Sequence, residues 1–302
     1  MASALNRREL LGWSSALAAG GALSAAPVVR AAESAPASAD RKFHLGLITY
    51  NLAKDWTLEE CIKRSKAAGI DALELRSTHK HGIEPDISRE KRKEARKLAE
   101  DGGVRIYSLG SACEFHSPDA AVVEKNIELT RQFCELARDV GAKGVKVRPN
   151  GLPKEVPVEK TLEQIGKSLH TCGQAAADLG VEIWCEVHGG GTSEPKHMRT
   201  IMDVANHPAV GACWNSNPGE VKDGSVKQPF ELLKPFIKHC HINELVNGYP
   251  YRELFGLLRG IGYDRYTMNE CQGMQTGSPD DVVRFLKFYK ALWEELSRPA
   301  CG

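Results

Sequence analysis

The chain is predicted to fold as a single-domain (βα)8 TIM barrel, of the α/β class, over residues 40–302. Three observations carry this prediction. Eight apolar, strand-like runs begin at His44, Asp71, Val104, Lys143, Val181, Val210, Phe236 and Asp264, recurring roughly every 30 residues, about the length of one βα unit. The segments between them have helical periodicity and end in Gly or a turn, and such alternation means a parallel sheet. Eight strands close a barrel. The alternative, an open doubly wound sheet, normally carries a glycine fingerprint after its first strand, and "ITYNLAKDW" has none.

The elements follow in order. After the first strand, "HLGLITY", the segment "TLEECIKRSKAAG" reads as a helix with Thr57 as N-cap, Glu60 completing a capping box, and Gly69 at the C-terminal stop. The second strand, "DALELR", leads to "SREKRKEARKLAEDGG", a helix starting at Ser88 and stopping at Gly102. Strands "VRIYSLG" and "KGVKVRP" each precede a long amphipathic helix, "DAAVVEKNIELTRQFCELARDVGA" and "EKTLEQIGKSLHTCGQAAADLG". The last four strands are "VEIWCEVH", "VGACWN", "FIKHCHINE" and "DRYTMNE", and "SPDDVVRFLKFYKALWEEL" supplies the closing helix.

Residues 1–39 are compositionally separate. Arg7-Arg8 precede Leu10-Leu11 and an Ala/Gly-rich run, a pattern that resembles a twin-arginine signal peptide, with small residues at Val29/Ala31 and Ala37/Ala39 as cleavage sites. The resemblance implies engagement of the twin-arginine export machinery and a periplasmic or secreted destination. Leu10 to Ala26 is shorter than the ~20 residues of a membrane span, so no permanent anchor is expected. Net charge is +1, which gives no reason to expect nucleic acid and favours a small or uncharged ligand. A homo-oligomer is compatible with this composition. Nine cysteines, an odd number without a close pair, read as reduced and buried rather than as disulfides.

Side chains alternate along a strand between the barrel interior and the surrounding helices. In "VEIWCEVH" this puts Cys185 and Val187 behind the barrel, with Glu182, Trp184, Glu186 and His188 inward. The same parity turns Glu74 and Arg76, Lys146 and Arg148, Asn215, His239 and His241, and Glu270 toward the interior, with Glu244 at the seventh strand's end. Catalytic groups of such barrels sit at the C-terminal strand ends. Two carboxylates, an imidazole and an amide there would make a mixed oxygen and nitrogen site for Mn2+, Mg2+ or Zn2+. Cys185, Cys240 and Cys271 face the helices, His239 reads as a packed core histidine, and His79 and His81 as surface histidines of a polar loop.

Glu in "CEVH", then "GACWN", His in "KHCHINE" and Glu in "MNEC" together resemble the xylose-isomerase-like barrels, which include sugar isomerases and epimerases. The resemblance spans residues 43–297 and implies a metal quartet at Glu186, Asn215, His241 and Glu270, with Glu186 and Glu270 exchanging the substrate proton. Asn215 departs from the aspartate usual in the family and brings no charge. A divalent metal and a carbohydrate substrate are therefore expected, with proton removal next to a carbonyl and an enediolate intermediate. His188, Arg148, His116 and Glu244 are candidate substrate contacts, Arg148 alternatively pairing with Glu74 or Glu114. The glycine run after His188 would let backbone approach a ligand or let the loop move. Two other functions use the same pocket: β-elimination on a 3-keto sugar glycoside, and non-catalytic sugar binding by a barrel whose metal site has decayed.

Overall fold

The computed structural model describes residues 43–272 and 277–299; the proposed signal segment lies outside these residues. Eight parallel strands, β1 (His44–Ile48), β2 (Ala72–Arg76), β3 (Arg105–Glu114), β4 (Gly144–Arg148), β5 (Glu182–Glu186), β6 (Val210–Asn215), β7 (Ile237–Ile242) and β8 (Tyr266–Asn269), pair in sequence order, and β8 returns to β1 to close the barrel. Helices α1 (Leu58–Ala67), α2 (Arg89–Gly102), α3 (Ala120–Val140), α4 (Val158–Asp178), α5 (Pro195–Ala205), α6 (Lys227–Leu233), α7 (Tyr251–Gly260) and α8 (Pro279–Leu296) follow them one by one. The predicted fold class is what forms. No helix among the described residues is long and apolar enough to cross a membrane.

Local chemistry accounts for the helix limits. Thr57 and Glu60 form the predicted capping box of α1, and Gly69 takes the left-handed φ of 74° just past it. Ser88 caps α2, whose left-handed residue is Gly103, one beyond the predicted stop. Asp119 caps α3 through the Ala121 N–H, while Ser117 accepts from Asp119 N–H ahead of it.

Strand parity sorts the core into two layers. Cys185, Val187, Trp214, Cys240 and Cys271 belong to the large cluster that includes the helices, as predicted for the three cysteines. Inside the barrel lie Ile48, Ala72, Tyr107, Trp184, Cys213, Tyr266 and Met268. Trp184 stacks on His239 at 4.3 Å and on Tyr107 at 5.6 Å. A Cβ at Gly144 would stand 2.7 Å from the Trp184 ring, so glycine there makes room for the indole. This plug fills the barrel interior beneath the C-terminal strand ends.

Candidate active site

Glu186 ends β5, Asn215 ends β6, His241 is the penultimate residue of β7, and Glu270 follows β8 by one residue. Their side chains meet above the Trp184 plug. His241 Nδ1 lies 3.6 Å from Glu186 Oε1 and 3.4 Å from Glu270 Oε2, and ligand-type atoms of these three residues all fall within 4.8 Å of one another. Asn215 Nδ2 donates to Glu186 Oε1 at 3.1 Å.

The tautomer of His241 is set from below. Its Nε2 is 3.4 Å from Glu74 Oε2, and a carboxylate can only accept, so Nε2 keeps its hydrogen and Nδ1, facing Glu186 and Glu270, is the nitrogen left to serve as a ligand. Glu74 is fully buried and also accepts from His239 Nε2 at 2.7 Å and Ser108 Oγ at 2.8 Å. Burial opposes its charge, but the two imidazoles outweigh that and hold its carboxyl well below the usual range. Burial likewise opposes a charged His241, and Cys213, Glu74 and Glu270 together overcome this and raise its proton affinity, so that without a cation Nδ1 also holds a proton, which ligation would release. His239, by contrast, is brought down to about 4, by burial first of all.

A buried ion pair completes the centre. Lys146 Nζ sits 2.9 Å from Glu186 Oε2, with both side chains almost wholly buried. Desolvation works against both charges, and their mutual attraction prevails, lowering the acid and raising the amine. Both Glu186 oxygens thus accept from fixed N–H donors. Buried Asn215 Oδ1 and His241 Nδ1 have no hydrogen-bond partner. Two carboxylates, one imidazole nitrogen that gives up its proton on ligation, and one free amide oxygen are a donor set that suits a divalent cation, so the residues present fit the expected metal.

The predicted substrate residues divide into groups. Arg148 is ion-paired with Glu114, the second of its two expected partners, and His116 Nδ1 is 3.9 Å from the same carboxylate; both side chains converge on Glu114 rather than on Glu186. His188 is half-buried two residues past Glu186, its Nδ1 enclosed without a partner, while its carbonyl accepts from Thr192 Oγ1 at 2.7 Å. Glu244 accepts from the Gln272 N–H and ties the loop after β7 to the loop after β8. The glycine run packs loop on loop: a Cβ on Gly189 would fall 2.6 Å from Asn150 Cα, and on Gly191 2.5 Å from Leu152 Cδ1.

Several features depart from the sequence reading. His81 is no surface residue: it is buried, and its nitrogens contact the Arg76 carbonyl at 2.8 Å and the Ile83 N–H at 3.1 Å. His79 is half-buried, held by Thr49 Oγ1 at 3.2 Å. Lys146, which parity turned toward the interior without a partner, is engaged by Glu186. Glu74 as the partner of His241 was missed, although parity had already turned both inward. Cys213, two residues before Asn215 and so on its face, points inward beside His239 and His241, with ligand atoms of all three within 4.8 Å.

Residues 62–292 match the model of the xylose isomerase-like TIM barrel family. The chain belongs to that family. Similar solved structures include an L-ribulose 3-epimerase (16% identity, 85% of this chain and 96% of that one, TM-score 0.71). A 3-keto-D-glucoside 4-epimerase from E. coli aligns at 14% identity over 83% and 100% of the two chains, with TM-score 0.69. A D-psicose 3-epimerase aligns at 16% over 84% and 95%, with TM-score 0.66. At these identities the likeness is one of fold.

Proposed function

We propose that this family member is an exported sugar isomerase or epimerase that removes a proton next to a carbonyl and returns it by way of an enediolate. The observation that carries the reading is the approach of Glu186 and Glu270 to one nitrogen of His241, at 3.6 and 3.4 Å. The two carboxylates come from β5 and the end of β8, which are not neighbours in the barrel. A substrate carbon held between them meets one carboxylate that takes the proton and another that delivers it. Glu186, Asn215, His241 and Glu270 would hold a divalent cation, Mn2+, Mg2+ or Zn2+, which when bound supplies charge stabilisation to the carbonyl oxygen.

His188, Arg148, His116 and Glu244 are assigned to the sugar hydroxyls. Pairing of Arg148 with Glu114 leaves no net charge at that position, which favours a neutral polyhydroxyl substrate over a phosphate or an acid. The family relatives named for ketose 3-epimerisation agree with this class. Similarity to a 3-keto-D-glucoside 4-epimerase supports a second class, oxidised glycosides, on which the same proton removal leads to β-elimination.

Incubation with Mn2+ and a panel of ketoses in D2O tests the reading. Deuterium entering next to the carbonyl, together with a new epimer, is expected, whereas released aglycone from a 3-keto glycoside marks the elimination route. No exchange with any of these sugars, combined with sugar binding that is unchanged in EDTA, means a binding protein instead. Export rests on Arg7-Arg8: a double lysine replacement should retain the protein in the cytoplasm, and undiminished periplasmic recovery overturns that part.

A further inference from the structure

The buried ammonium of Lys146 has no part in the proton transfer just described, yet it sits in the midst of the centre. Its Nζ is 2.9 Å from Glu186 Oε2, its side chain is only 4% exposed, and it also feels the charges of Glu74 and Glu270. The neighbouring ligand position holds an uncharged amide, whose Nδ2 satisfies the other Glu186 oxygen. Charge therefore runs short at this centre twice over, once through Asn215 and once through a fixed cation on the carboxylate that a metal would share. We propose that Lys146 is a positioning residue and built-in counter-cation: it orients Glu186 while competing with a divalent cation for that carboxylate, so that the cation is held weakly and exchanges readily. The proposal rests on the reading of Glu186, Asn215, His241 and Glu270 as a cation site.

Mn2+ titration of the purified full chain, without substrate, followed by electron paramagnetic resonance of the free ion, is the test. Lys146→Gln keeps a donor to Glu186 and drops the charge. It should tighten Mn2+ binding on the order of tenfold or more, as expected for one buried unit charge at an effective dielectric near 20. Lys146→Arg keeps the charge and should stay within about threefold of wild type on the same argument. Lys146→Met serves as a second neutral variant, and saturating Mn2+ should stabilise both neutral variants more than it does wild type. Equal affinities for the Arg and Gln variants overturn the proposal, as do neutral variants that misfold and are not restored by Mn2+. Because no turnover is measured, an inactive but cation-binding protein would refute the epimerase reading and leave this one standing.

Discussion

Replacing Asn215 by Asp gives the sharpest test of the centre's charge balance. In the wild type the amide donates to Glu186 Oε1 at 3.1 Å. The variant puts a second carboxylate oxygen at that distance. With no cation present, the lost charge-assisted hydrogen bond is worth roughly 1.5–3 kcal/mol. The new repulsion, 332/(20 × 3.1), adds about 5 kcal/mol at an effective dielectric of 20. Protonation of one acid relieves part of this, so a net destabilisation of a few kcal/mol is expected in EDTA. For a barrel of this size about 1 kcal/mol corresponds to roughly 2–4 °C, and the thermal midpoint should fall by about 10 °C. A divalent cation between the two carboxylates turns the repulsion into ligation. In millimolar Mn2+ the midpoint should then return to that of wild type or exceed it. The assay is differential scanning fluorimetry of both proteins, with EDTA and with Mn2+. The same midpoint shift on adding Mn2+ in the two proteins would show that position 215 does not face the cation, and the quartet would be wrong.

Glu186→Gln and Glu270→Gln should each lower the exchange of substrate hydrogen with solvent by about 10²–10⁴, the usual contribution of a positioned acid or base; a loss under threefold in both removes them from proton transfer. Glu220 is almost fully buried, and desolvation raises its acid to about 8, so the folded chain keeps a proton that the unfolded chain releases near 4.5. Stability tied to this group is complete below pH 4.5 and is lost as pH rises toward 8, amounting to about 3 kcal/mol by pH 7. Glu220→Gln should flatten that decline in thermal midpoint, and an unchanged slope between pH 5 and 8 counts against it. Gly144→Ala forces a Cβ to within 2.7 Å of the Trp184 ring. It should destabilise by about 1–3 kcal/mol in urea unfolding, and a neutral outcome means the indole can shift.

What was legible in the sequence followed from periodicity, and what was not depended on closure. The alternation of Cys185 with Glu186 is a property of any strand with one neighbour on each face, so separating packing from site needed no partner. Thr57 with Glu60 reveals a helix start because the capping bonds span three residues. Contacts made across the barrel have no such local trace. Glu74 and His241 are 167 positions apart, and parity turns both inward without saying that their heights coincide. Arg148 illustrates a different limit. The run "VRIYSLG" suggested a strand of ordinary length, but β3 continues to Glu114 with a register shift after Gly110. That extension carries a carboxylate to Arg148 and takes its charge out of play.

The inner layer decides what the outer one can do. Had His241 lacked a partner below, either ring nitrogen could keep its hydrogen on deprotonation, and either could be the one offered to a cation. Glu74 removes that freedom, since it accepts from Nε2 and is itself fixed by His239 and Ser108. His239 in turn is locked by the stack on Trp184, which Gly144 admits. The choice of which His241 nitrogen serves the mouth thus descends through four contacts, by way of Glu74, His239 and Trp184, to a missing Cβ. The same descent explains why carboxylates and imidazoles at strand ends do not by themselves define a centre: their charges act as ligands or proton carriers only where buried groups beneath have settled which atom holds which hydrogen.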